Sequence, residues 1–266
     1  MGSDAPAISG EGPGREASAK AAIGTAAPSR RAAGVATVAC GLGLGLAGVV
    51  AFGASAASAL ALGLYAVAAA FVVAGASPGG AGGFGLANAI TLFRAALVAL
   101  MAGALAGREG TAWLSVAAFL VLFLDGADGW WARRSGTASA FGARFDMETD
   151  ALYVLVMSLL LWQGGRFDAW ILVAGLARYA FVAAGAVWPA LTAPLPPRQR
   201  RRLAFVAMAA TMAAALSPDL SRAVANWGRA DLAVAGALAF LVWSFAVDVV
   251  LLSRGDRARL AEENSP

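Results

Sequence analysis

The 266-residue chain has no histidine, one cysteine and one lysine, and each shortage removes a kind of chemistry. Without histidine there is no imidazole base and no imidazole metal ligand. Cys40, the single cysteine, can form no intrachain disulfide, and within its apolar run it reads as helix packing. Charge is scarce as well. Only 14% of residues are charged while 60% are hydrophobic, against roughly 25% charged in soluble domains. The chain is therefore expected to be an all-α, polytopic membrane protein. Its basic residues are 19 Arg to 1 Lys amid abundant Ala and Gly, a composition that points to a GC-rich bacterial genome and a bacterial cytoplasmic membrane. No nucleic-acid partner is expected.

Residues 1–31 are rich in Gly, Ala, Ser and Pro with scattered charge and no apolar period, so they cannot bury enough surface to fold and are expected to be a disordered tail. From Ala32 to Ser77 there is no charged residue. That length accommodates two spans of about 20 residues each, with a tight turn near Gly53 to Ser58, so 32–77 is expected to be a transmembrane helical hairpin. Its many small residues favour close helix packing or a partner role rather than chemistry. Residues 78–87 follow as a Gly-rich linker. Six further spans are expected near 88–106, 111–132, 146–163, 168–188, 202–217 and 232–253, making a six-helix domain over 88–255 and a short C-terminal tail over 256–266.

What is present in that frame is a group of aspartates where aspartates are costly. Asp125, Asp128, Asp146 and Asp150 lie at the ends of apolar segments. One Asp near a bilayer centre costs roughly 2.5 to 3.5 kcal/mol on insertion scales, and four together repel unless a cation holds them. Residues three or four apart share a helix face, so Asp125 with Asp128, and Asp146 with Asp150, present two pairs that the intervening loop from about Ser135 to Phe141 folds together. Hard oxygen ligands with no His or Cys nearby suit Mg²⁺ or Mn²⁺, and Mg²⁺ is commonly shared with a substrate phosphate.

Read from Asp125, the chain spells D-x2-D-G-x2-A-R-x8-G-x3-D-x3-D, filled by Asp125, Asp128, Gly129, Ala132, Arg133, Gly142, Asp146 and Asp150. This resembles the signature of the CDP-alcohol phosphatidyltransferases, with every defining position present. Eight set positions at fixed spacing leave little room for a chance match. The resemblance covers roughly residues 86–255 and implies a six-helix membrane domain. The implied reaction is phospholipid biosynthesis: transfer of a phosphatidyl-type group from a CDP-linked lipid such as CDP-diacylglycerol to an alcohol acceptor, with release of CMP. It implies that Asp125, Asp128 and Asp146 hold the metal, that Asp150 takes the proton from the attacking hydroxyl while leaning on the metal, and that Gly129, Ala132 and Gly142 leave room for the cytidine diphosphate. Arg133 would neutralise phosphate oxygens. A homodimer in the membrane is expected on the resemblance alone.

Other residues carry two readings. Asn88, Thr91 and Arg94, at the entry to the first domain helix, resemble the family's usual opening and would make polar contacts to the nucleotide, or else cap the helix and snorkel. Glu148 lies off the face of its neighbouring aspartates and is not expected to ligate the metal. Trp130 and Trp131 read as interface belt or packing. Arg178, about ten positions into its span, needs an anion. It would pair with a site aspartate, or form with Arg198, Arg200 and Arg201 a pocket for a phosphate on the acceptor, favouring glycerol phosphate or inositol phosphate. The same arginines would otherwise hold anionic membrane lipids. The basic residues split 15 to 4 in favour of the side bearing the aspartates, with Arg178 inside a span, which orients the site and both termini toward the cytoplasm. Two alternatives compete with the enzyme: a membrane ion or solute transporter with an intramembrane carboxylate cluster, and a catalytically silent scaffold relative.

Overall fold

A computed structural model describes residues 30–53, 55–75, 86–106, 112–135, 140–192, 199–217 and 230–263. Among these residues there is no strand, and eight α-helices carry the chain: α1 (Arg30–Phe52), α2 (Ala56–Gly75), α3 (Leu86–Gly103), α4 (Ala112–Ser135), α5 (Ala140–Gln163), α6 (Leu172–Val187), α7 (Gln199–Leu216) and α8 (Ala230–Glu263). Single turns of 3-10 helix at Ala169–Ile171 and Pro189–Thr192 flank α6. The stretch 1–29 and most of the Gly-rich segment, 76–85, lie outside the described residues.

Four of the helices contain stretches long and apolar enough to cross a membrane, Ala56–Val73, Leu86–Gly103, Ala169–Val187 and Asp231–Ser253, and shorter apolar helices run over 40–52 and 113–127. Large apolar side chains point outward along them, as with Val50 at 79% and Val187 at 88% exposure, an arrangement that water would penalise and hydrocarbon favours. The chain is an integral membrane protein.

Two stops follow the chemistry of glycine. After α1 the chain reverses at Gly53, whose φ of 65° is the left-handed conformation that a side chain resists. After α5, Gly165 adopts φ 66° while Arg166 N–H donates back to Leu161 O at 3.0 Å, closing the helix end. Helix α8 runs on to Glu263, past the span end expected at 253. Its last stretch, Arg254 to Glu263, is mostly polar; it holds one glycine, Gly255, but no proline, and its Ala, Leu, Arg and Glu residues favour helix.

Helix α3 is the hub, packing against α1, α2, α4 and α5, while α5 packs against α6 and α7, and α7 against α4 and α8. Two buried clusters result. The larger joins Met101 of α3, Leu114 of α4, Tyr153 and Met157 of α5 and Met208 and Met212 of α7. The smaller seals the hairpin onto α3 through Leu44, Tyr65, Val72, Leu92 and Ala99 and takes in Phe145 of α5. Small residues permit the close approaches: a Cβ on Gly41 would lie 3.0 Å from Tyr65 Cε1, and one on Gly103 only 2.7 Å from Phe52 Cε2. Tyr65 in turn donates its hydroxyl to Thr37 O at 2.7 Å, which ties α2 to α1.

Candidate active site

The site forms where α4 and the first half of α5 both pack against α3. Two hydrogen bonds help to hold α5 there. Tyr153 O–H donates to Ala118 O at 2.9 Å and pins α5 to α4 inward of the aspartates. At the opposite end of α5, Gln163 Nε2 donates to Leu105 O at 2.8 Å. With α5 held at its middle and at its far end, Asp146 and Asp150, one turn apart, face Asp125 of α4. Ligand oxygens of the three carboxylates lie within 4.8 Å of one another.

Arg94 occupies the middle of this group. It rises from α3 with its side chain fully buried, donates through Nη1 to Asp146 Oδ1 at 2.6 Å, and brings Nη2 to Asp150 Oδ1 and, at 3.2 Å, to Asp125 Oδ1. The capping and snorkelling reading does not hold for Arg94: its side chain is buried, and three carboxylates supply the anions a buried guanidinium requires. Thr91 donates its hydroxyl to Ala87 O at 3.1 Å within α3, and Asn88 is buried nearly two turns before Arg94.

A cavity of about 1020 Å³ opens from the carboxylates, large against the roughly 300 to 1,000 Å³ of ordinary small-molecule sites. Asp125, Asp146 and Asp150 form one part of its wall, and Arg144, Glu148, Arg178, Arg201, Arg202 and Asp248 bring further charge to it. Much of the remainder is apolar, including Phe181, Val182, Phe205, Leu241 and Phe245. Such a space suits a molecule with both an anionic and an apolar part.

Arg178 does not reach a site aspartate. Its Nη2 donates to Glu148 Oε1 at 2.6 Å, and its Nε is buried with no hydrogen-bond partner. Glu148, set aside as a metal ligand, thus lines the cavity as the partner of Arg178. Arg201 also lines the cavity, 3.9 Å through Nε from Asp248 Oδ2, whereas Arg200, ion-paired to the same Asp248 and 5.4 Å from the centre of the Trp243 ring, does not line it. Arg198 lies outside the described residues. Asp128, Gly129, Trp130, Trp131, Ala132 and Arg133 fall on the last turns of α4, and their side chains are likewise outside the described set. Gly142 is described, on the first turns of α5.

Of the wall residues that escaped the sequence reading, three carry polar groups or close packing at the site. Asp248 sits 98% buried in α8, and its only signal was a lone acid in an apolar span. Ser244, one turn earlier on α8, also lines the cavity, and its buried Oγ has no partner. Gly175 lets α6 lie on α5, since a Cβ there would meet Leu155 Cα at 2.7 Å and strike the Ser158 hydroxyl.

A family model for CDP-alcohol phosphatidyltransferase matches residues 84–249, more than half of the 266-residue chain. The chain belongs to this family. Membership makes it a CDP-alcohol phosphotransferase of phospholipid synthesis, working on a CDP-alcohol donor and an alcohol acceptor in the membrane. The transporter alternative loses its support. No curated protein and no solved structure matches the chain significantly. The family uses a divalent cation, and the donor set fits one: three carboxylates converge, all hard oxygen, and the group already attracts the positive charge of Arg94.

Proposed function

We propose that this protein transfers a phosphatidyl group from CDP-diacylglycerol to a phosphorylated polyol, such as glycerol phosphate or inositol phosphate, with release of CMP. The acceptor hydroxyl oxygen bonds to the lipid-bearing phosphorus as the bond from that phosphorus to the bridging oxygen of CMP breaks. Asp150 takes the hydroxyl proton, because an alcohol is far too weak an acid to ionise at neutral pH and is a poor nucleophile without a base in reach. Asp125, Asp128 and Asp146, with Asp150, would hold Mg²⁺ or Mn²⁺, which when bound supplies charge neutralisation on the diphosphate oxygens. Gly129, Ala132 and Gly142 leave room for the cytidine diphosphate, Arg133 offsets phosphate charge, and Asn88 and Thr91 add polar contacts to the nucleotide. Chemistry of this kind asks for positioning and electrostatics rather than a covalent protein nucleophile.

The observation that carries the acceptor half is Arg178, whose buried Nε lacks a partner on the wall of the same cavity as Asp150 and Arg201. Guanidinium groups there suit a phosphate better than a free serine or ethanolamine, which bring an ammonium toward like charge. The distribution of basic residues supports a cytoplasmic mouth for the site, where nucleotide and phosphorylated polyol are both soluble. The test is CMP release from CDP-diacylglycerol with a panel of acceptors and Mg²⁺ or Mn²⁺. A phosphorylated polyol is expected to raise release well above any free alcohol; equal rates with free alcohols would remove the acceptor assignment, and no CMP with any acceptor would remove the activity.

A further inference from the structure

The family match begins at residue 84, so the hairpin α1–α2 stands outside it. Yet Phe71, near the end of α2, lines the cavity together with Asp125, Asp146 and Asp150. Its ring lies 5.7 Å from that of Phe141 at 24° and 6.0 Å from that of Phe145 at 27°, and those two rings are 6.1 Å apart at 11°. Phe141 and Phe145 are one turn apart on α5, and each immediately precedes a motif residue, Gly142 and Asp146. Phe145 is 2% exposed, locked in the cluster that binds the hairpin to α3, whereas Phe71 is 41% exposed.

We propose that the hairpin completes the donor half of the site: Phe71 walls the cavity beside the carboxylates and, through Phe141 and Phe145, positions the turn of α5 that carries Gly142 and Asp146. This rests on the function proposed above and assigns Phe71 to the lipid-linked nucleotide rather than to the acceptor. Three features support that assignment. A phenyl ring offers no hydrogen bond to a polyol but covers hydrocarbon well. Phe71 is 41% exposed and lines the cavity, so it sets an apolar ring where the hydrocarbon part of an amphiphile would meet the polar site. The arginines suited to an acceptor phosphate, Arg178 and Arg201, come instead from α6 and α7. The hairpin is also held rigidly enough to position a neighbour, through the Tyr65 to Thr37 hydrogen bond and the seat of Phe52 on Gly103.

The experiment uses the full chain in nanodiscs and compares wild type, Phe71→Ala, Phe71→Tyr and Val67→Ala. Val67 is an exposed residue one turn earlier on α2 that does not line the cavity. Measurements are direct binding of CDP-diacylglycerol by titration, KM for donor and for acceptor, kcat and melting temperature. Phe71→Ala is expected to weaken donor binding and raise donor KM roughly tenfold, the scale of losing part of an aromatic contact, with acceptor KM unmoved. Phe71→Tyr keeps the ring and is expected to restore both; Val67→Ala is expected to match wild type. Should Phe71→Ala not purify, Phe71→Leu makes the same comparison, since it keeps apolar bulk without the ring plane. Donor binding and donor KM within twofold of wild type in Phe71→Ala, or in Phe71→Leu where it stands in, would overturn the proposal. So would equal shifts in donor and acceptor KM, or the same losses in Val67→Ala, since these indicate general loosening of the hairpin. A wild type that binds the donor but releases no CMP sinks the reaction while the binding comparison still decides the role of Phe71. A wild type that binds no CDP-diacylglycerol overturns both.

Discussion

Arg94 and Asp146, 52 positions apart in the chain, meet at 2.6 Å, so that a fully buried guanidinium of α3 stands among carboxylates supplied by α4 and α5. The cluster joins three helices through charge and sets a cation among the carboxylates proposed to hold the metal. Three carboxylates against one guanidinium leave an excess of negative charge. A divalent ion is the natural complement to that excess.

Removing this guanidinium is the sharpest test of the cluster. Arg94→Met is expected to destabilise the protein by about 3 to 5 kcal/mol, the scale of leaving a buried ionic partner uncompensated. Mg²⁺ or Mn²⁺ should raise the melting temperature of the variant more than that of wild type. Arg94→Lys should recover part of the loss only, because a single ammonium cannot fork to several carboxylates. Equal metal response in variant and wild type would show that Arg94 and the metal do not share these oxygens.

Asp150→Asn preserves size and removes the basic oxygen. Turnover is expected to fall by about 10² to 10⁴ while CDP-diacylglycerol binding stays close to wild type. Single-turnover CMP release alongside a binding titration separates the two. Near-normal CMP release would assign the base elsewhere.

Activity is expected to require added Mg²⁺ or Mn²⁺ and to vanish in excess chelator. Asp125→Ala and Asp146→Ala should lower the rate and raise the metal concentration needed for half-maximal activity, since each removes one of the converging oxygens. Full activity in chelator would rule the metal site out.

For the acceptor, Arg178→Gln is expected to raise the KM of a phosphorylated polyol with little change in donor KM. Glu148→Gln, which removes the anion now holding Arg178 at 2.6 Å, should move the same KM in the opposite direction. Steady-state kinetics with donor and metal fixed reads both, and an acceptor KM indifferent to Arg178 would end the assignment.

Gly175→Ala probes packing on the cavity wall. The added methyl would lie 2.7 Å from Leu155 Cα, a backbone atom that cannot swing aside. Destabilisation of about 1 to 3 kcal/mol is expected, as for overpacked cores, read as a lowered melting temperature. An unchanged melting temperature would mean that α6 shifts freely against α5.

Much of this protein is written in its local sequence. Apolar runs of span length dictate helices wherever the chain must satisfy its own backbone in lipid, and the turn at Gly53 follows from a residue without a Cβ. The aspartates could be read because charge in apolar segments is costly and because their three- and four-residue spacings bind each pair to one helix face. Helix continuation past 253 was less legible, since polar residues at a helix end look the same in a tail.

The partners of the charges were decided only in three dimensions. Spacing along a helix says which residues share a face, but not which distant helix meets that face or at what depth. Arg94 therefore read as a surface or nucleotide contact until α3 was seen packed against both α4 and α5. Arg178 read as a partner for a site aspartate or as part of an acceptor phosphate pocket, and only the packing showed Glu148 meeting it. Asp248 drew no notice before α7 brought Arg200 and Arg201 to it, and Phe71 was one more apolar residue in an apolar span. A buried charge takes its partner from whichever helix the packing presents, and that packing is a property of the whole bundle rather than of any segment.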